Sequence, residues 1–212
     1  MRPWMLALGA SLAALAAHAG EPAGQAAERA GKAAVAAPLP QGTHPQGTHP
    51  HIAAELLAMM ERDQEVRKRH EASPDSTSIM AEMLALDAKH EPRIKGILAE
   101  IGWPGVKAVG AQGNQAMWLL VQHASPELLK QSLPAMKKAA DKGELPWSTV
   151  ALSIDRDLLN DGKKQLYGSQ LIMNDAGKLE LRPVEDESQL DQRRASVGLE
   201  PIASYLRRFG TP

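Results

Sequence analysis

Apolar positions recur with a helical period through most of the chain beyond its first fifty residues. Ile52, Leu56, Met59 and Val66 lie on one stripe of a helix that ends near His70, and Asp63 falls on the same stripe. Ser73-Pro74-Asp75-Ser76 breaks the pattern. A second helical stretch from Ile79 to Ile101 puts Met83, Ile94, Ile97 and Ile101 on one face, together with Asp87 and His90. Pro92 inside it is expected to kink or divide the helix, and Gly102-Trp103-Pro104-Gly105 ends it. Further helices are predicted from Asn114 to Ala124, Pro126 to Lys142 and Trp147 to Asn160. Ser125 stands as the cap ahead of Pro126, and His123 continues a stripe with Ala116 and Leu120.

The period changes after Asp161-Gly162. Gln165 to Met173 and Lys178 to Val184 flank the turn Asn174-Asp175-Ala176-Gly177, which predicts a two-stranded hairpin. Helices resume from Ser188 to Val197, ending at Gly198, and from Pro201 to Phe209. A lone hairpin is marginal in water, so this one must pack on helices. The fold class is therefore mainly α (α+β): a single helical domain over residues 52–210 with a small antiparallel β-hairpin near its C-terminal third.

The N-terminal residues follow another pattern. Arg2, the apolar run Met5 to Ala17 and the small-x-small triplet Ala17-His18-Ala19 read as a signal peptide over residues 1–19, with the exported bacterial protein beginning at Gly20 in the periplasm or medium. The run is shorter than the roughly 20 residues that span a bilayer, so no membrane association is expected after cleavage. Residues 20–51, rich in alanine, glycine, proline and glutamine, read as a flexible linker. In it Gln41-Gly42-Thr43-His44-Pro45 is repeated as Gln46-Gly47-Thr48-His49-Pro50, followed by His51. Three histidines suit a weak transition-metal site, but no carboxylate accompanies them, so a duplicated spacer is the preferred reading and no metal ligand is assigned.

Composition narrows the function classes. With 24 basic against 25 acidic residues, interspersed, there is no field of one sign to attract nucleic acid. There is no cysteine, hence neither disulfide nor thiolate chemistry. No motif names a cofactor or a partner: a Gly-rich phosphate loop, a GxSxG elbow and an HExxH zinc signature are all missing.

The ordered series Gly102-Trp103-Pro104, Gln122-His123-Ala124, Asp155-Arg156, Gln165-x-Tyr167-Gly168-Ser169-Gln170 and Asp191-x-Arg193-Arg194 with Gly198-Leu199 resembles a bacterial family classed as a domain of unknown function. The resemblance runs from Ile52 to Tyr205. Ser169 departs from it, since threonine is expected there in most relatives. The family implies domain boundaries and candidate positions, but no activity, substrate or cofactor.

Candidate chemistry rests on polar residues that face inward. Asp63, Asp87, His90 and His123 project from apolar stripes, and an unpartnered buried carboxylate or imidazole costs several kcal/mol or changes its protonation. They must meet one another, or Asp155, Arg156 or Arg194; Asp87 and His90, at i and i+3, can touch on one helix. One reading is a network that fixes helix register in a structural or binding module. The alternative is a hydrolase-type site, in which His123 or His90 is the general base, a carboxylate orients its ring and an arginine holds an anionic group, with metal assistance as a variant. The candidate catalytic residues are thus His123, His90, Asp87 and Asp155. His123, near a helix end, is expected to be more open than Asp87 and His90, which sit mid-helix. Candidate ligand-binding residues are Gln122, Arg156, Gln165, Tyr167, Gln170 and Arg193. In a strand Gln165, Tyr167 and Ser169 would share a face. Arg193 is read as the inward arginine, and Asp191 with Arg194 as a surface ion pair.

Overall fold

A computed structural model describes residues 47–174 and 177–209. The signal-peptide and most of the linker readings, with His44, lie outside the described residues. Seven α-helices and one two-stranded antiparallel sheet are present among those described. The helices are α1 (Pro50–Ala72), α2 (Thr77–Ile101), α3 (Val106–His123), α4 (Pro126–Asp141), α5 (Trp147–Asn160), α6 (Leu190–Ser196) and α7 (Ile202–Arg207). The strands are β1 (Leu171–Met173) and β2 (Leu179–Leu181). The mainly α class with a small β element is the one the periodicity predicts. The chain divides inside α5 into two compact units, Thr43–Ser153 and Ile154–Pro212.

In the first unit α1 packs on α3 and α2. The predicted stripe of α1 is buried at Ile52, Leu56, Met59, Asp63 and Val66, and it meets a core that includes Ile94, Ile97, Met117 and Val121. Ahead of α1, the N–H groups of Thr48 and His49 donate to the carbonyls of Lys107 and Ala108 at 3.1 and 2.8 Å. Pro92 does not divide α2. The carbonyl that loses its helical donor belongs to Ala88, which is exposed, so water can replace the missing N–H. Helix α3 starts eight residues earlier than predicted, with a break at Gly110, whose φ of 73° is not helical. Two glycines, Gly110 and Gly113, dilute the helical signal there. The Ser125 cap forms as read: its hydroxyl accepts the Leu128 N–H at 3.2 Å.

The second unit corrects the predicted hairpin. Pairing is confined to Leu171↔Leu181, Ile172↔Glu180 and Met173↔Leu179. Residues 165–170 are not a strand; only Gln165 forms an isolated bridge, parallel, with Val184. Their backbone groups bind a buried carboxylate instead, as described below. Asp191 is also not paired with Arg194: its carboxylate accepts the Ile202 N–H at 2.7 Å, at the start of α7.

Candidate functional site

The unit Thr43–Ser153 holds a chain of charges linking α1, α2 and α3. Asp63 sits in the middle with no solvent exposure. Oδ2 faces His123 Nδ1 at 2.9 Å and accepts from Gln64 Nε2 at 2.8 Å, while Oδ1 lies 3.1 Å from His123 Nδ1 and accepts from Arg67 Nε at 2.9 Å. Arg67, one helical turn from Asp63, then reaches across to α2, where Nη2 donates to Asp87 Oδ1 at 2.6 Å and Nη1 lies 3.1 Å from Met83 Sδ. Burial opposes ionisation of Asp63, but the His123 bond, with Arg67 and Gln64, outweighs it and holds the carboxyl below its ordinary value. Asp87 goes the other way. Burial, helped by repulsion from Asp63, pushes it up to about 6 despite the Arg67 guanidinium.

Three of the predicted residues, Asp63, Asp87 and His123, therefore do meet, joined by Arg67, which the sequence reading missed although its i, i+4 spacing from Asp63 signals the pair. His90 is buried on the same face of α2, but no hydrogen bond joins it to Asp87. It makes no side-chain hydrogen bond among the described residues, and burial lowers the pKa of its imidazole. The open position expected for His123 is not found, its side chain being 5% exposed. Gln122, its neighbour in sequence, faces elsewhere: its Nε2 donates to Ser153 Oγ at 2.6 Å, which also accepts the Trp118 indole N–H at 3.1 Å.

Asp155 and Arg156 belong to a different network, inside the unit that begins at Ile154. Asp155 is also fully buried. Its Oδ1 accepts the N–H groups of Leu166 and Tyr167 at 2.7 and 2.9 Å, and its Oδ2 that of Ser169 at 2.9 Å. Burial raises its pKa while these donors oppose the rise. The loop 165–170 is thus wrapped on a carboxylate. Gln165 closes it: Oε1 accepts the Gln170 N–H at 2.9 Å and Nε2 donates to the carbonyls of Gln170 and Arg182 at 3.1 and 2.8 Å. Arg156 Nη2 reaches Gln170 Oε1 at 3.5 Å. Tyr167, half-buried with its hydroxyl pKa raised by burial, contributes backbone rather than side chain to this network.

The two arginines of α6 exchange the roles assigned from sequence. Arg194 is 1% exposed, donates to the carbonyls of Tyr167 and Glu200 at 2.6 Å each, and lies 5.0 Å from the centre of the Tyr205 ring. Arg193 is half-buried and donates to the carbonyls of Leu166, Glu185 and Asp186. The reason is register: Arg194 stands one turn after buried Leu190, so both point inward. Tyr205, also missed, donates its hydroxyl to the Ser169 carbonyl at 2.8 Å.

An open groove of about 490 Å³ lies elsewhere on the first unit, lined among others by Val106, Gln115, Trp118, Glu144, Trp147 and Thr149. The Gly-Trp-Pro-Gly turn does not line it but braces residues that do. Trp103 Nε1 donates to Asn114 Oδ1 at 3.1 Å, and Asn114 Nδ2 donates to the Glu144 carbonyl, which fixes the loop after α4. Gly105 leaves room for the Glu144 side chain, since a Cβ there would lie 2.2 Å from Glu144 Oε2. A second depression of about 300 Å³ between α1 and α2 is lined by Arg62, Arg69, Glu82 and Lys89; Arg69 and Glu82 already form a two-bond pair at 2.9 and 2.7 Å. Neither hollow is lined by Asp63, Asp87, His123 or Asp155.

No helix among the described residues is long and apolar enough to cross a membrane. No curated protein and no solved structure matches the chain. One family model does, over residues 50–211, which spans all seven helices, both polar networks and the groove. The chain belongs to that family, a family of unknown function (DUF6624).

Proposed function

We propose that the chain is an exported binding module, in which the two buried networks hold the helices and the 165–170 loop in register and the indole-lined groove carries the interaction. The observation that carries this reading is the enclosure of Asp63. Both its oxygens are occupied by His123, Arg67 and Gln64, and the carboxylate has no exposed surface through which to act on a substrate. Asp155 is used up in the same way by three backbone donors. A groove of about 490 Å³ with Trp118 and Trp147 in its lining is of the size that small ligands occupy.

One feature favours the hydrolase-type alternative, with His123 as general base. A carboxylate on Nδ1 is the arrangement that fixes the tautomer and orientation of a catalytic imidazole. The two readings differ in what His123→Ala does. As a scaffold residue, its loss strips a donor from a buried carboxylate and lowers stability by roughly 1 to 3 kcal/mol. As a residue of an open active site, its loss would leave stability unchanged or raised. Thermal melts of the variant beside the unaltered protein separate them.

Export rests on the N-terminal run and the Ala17-His18-Ala19 triplet. Mass spectrometry of the protein from its native host is expected to find Gly20 at the mature N-terminus. An intact Met1 on soluble protein in the cytoplasm would contradict this.

A further inference from the structure

We infer that the groove on the Thr43–Ser153 unit is a binding site for a small organic ammonium ion, with Glu144 supplying the counter-charge and Trp147 and Trp118 the aromatic walls. The inference rests on the reading of the chain as a binding module and names the ligand class for it. Charge complementarity carries it. Of the described residues lining the groove, Glu144 is the one with an ionisable side chain, and no lysine, arginine or histidine is among them. Among the described residues the Glu144 carboxylate makes no hydrogen bond or ion pair, although the residue is half-buried. A groove lined by one carboxylate-bearing residue and two tryptophans has the chemistry that recognises an alkylated ammonium: coulombic attraction from the carboxylate, cation–π attraction from the indoles and contact of the methyl groups with the walls.

The site is also pre-built. The Glu144 main chain is held by Asn114, which is held by Trp103, and its side chain rests on the bare backbone of Gly105. The Trp118 indole is locked to Ser153 Oγ at 3.1 Å. Trp147 and Gln115 have no side-chain hydrogen bond among the described residues, so an indole N–H and an amide remain available to a hydroxyl on the ligand. The turn motif at 102–105 thereby acquires a purpose beyond ending α2: two of its four residues position one carboxylate.

The test uses choline as the probe and its uncharged carbon analogue 3,3-dimethyl-1-butanol as the comparison, each titrated into the mature protein and followed by tryptophan fluorescence and by the Trp147 indole N–H signal in NMR. Saturable binding of choline is expected, with the uncharged analogue weaker by at least about tenfold. Glu144→Gln should weaken choline by at least about fivefold while leaving the analogue unchanged, and the folded state of the variant is checked by its melt. Trp147→Leu should weaken choline more than the analogue. Equal binding of both probes overturns the ammonium assignment and leaves the groove as a binding site of other chemistry. Absence of saturable choline binding up to roughly 50 mM overturns it as well. The binding-module reading is judged separately, on the His123→Ala melt.

Discussion

Arg67 stands between two carboxylates, 2.9 Å from Asp63 and 2.6 Å from Asp87, and one guanidinium cannot compensate both in a buried setting. Asp63 has two further donors and ionises readily; Asp87 has none among the described residues and bears the deficit. The pH consequences have opposite signs. Asp87 titrates at about 6 in the native state, above its ordinary value, so the folded protein holds a proton that the unfolded chain has lost. Its favourable contribution is complete below about pH 4 and disappears as the pH rises through about 6, a change of roughly 3 kcal/mol. Asp63, with its native value lowered, contributes above the ordinary aspartate range and fades as the pH falls through that lower value. Replacing Asp87 by Asn keeps an acceptor for Arg67 and removes the titration. Urea unfolding at pH 4.5 and pH 7 should therefore show Asp87→Asn gaining on the unaltered protein as the pH rises. An equal difference at both values would contradict the assignment.

At the scale of elements, the helices were legible and the 165–170 segment was not. The stripe Ile52, Leu56, Met59, Asp63 and Val66 follows from spacing alone, and so does the Ser125 cap. Gln165 to Gln170 alternates like a strand, but alternation says nothing of where backbone N–H groups find acceptors. Asp155, ten residues upstream on α5, offers two oxygens at a buried point, and the loop closes on them in place of a partner strand. The Asp-Arg and Gln-x-Tyr-Gly-Ser-Gln motifs of the resemblance are the two halves of this one device. The i, i+3 spacing of Asp191 and Arg194 suggests a surface ion pair; taking Leu190 as the buried anchor of α6 places Arg194 inward. Asp155→Asn would keep one acceptor oxygen and turn an amide NH2 toward an N–H donor, leaving at least one buried N–H without a partner at a cost of about 1 to 3 kcal/mol. The amides of Leu166, Tyr167 and Ser169 should then exchange with solvent faster than in the unaltered protein. Unchanged protection at all three would show that the carboxylate does not order the loop.

Across the whole molecule, each compact unit carries its own buried acid at the centre of its polar network, Asp63 in one and Asp155 in the other. That organisation could not be read from sequence, because Gln122-His123 and Asp155-Arg156 look like parts of one site when only their order is known. What separates them is the direction of each side chain, set by helix register and by the loop. The tryptophans Trp103, Trp118 and Trp147 all lie in the Thr43–Ser153 unit, so their fluorescence reports the unfolding of the unit that contains Asp63 and His123. The most direct measurement of the scaffold role is a double-mutant cycle on that pair, with Asp63→Asn, His123→Ala and the double variant unfolded in urea under tryptophan fluorescence. A buried, mutually dependent pair should lose stability in each single variant and show a coupling of at least about 1 kcal/mol. Additive effects within about 0.5 kcal/mol, or a His123→Ala variant more stable than the unaltered protein, would contradict the scaffold and favour an open site at His123.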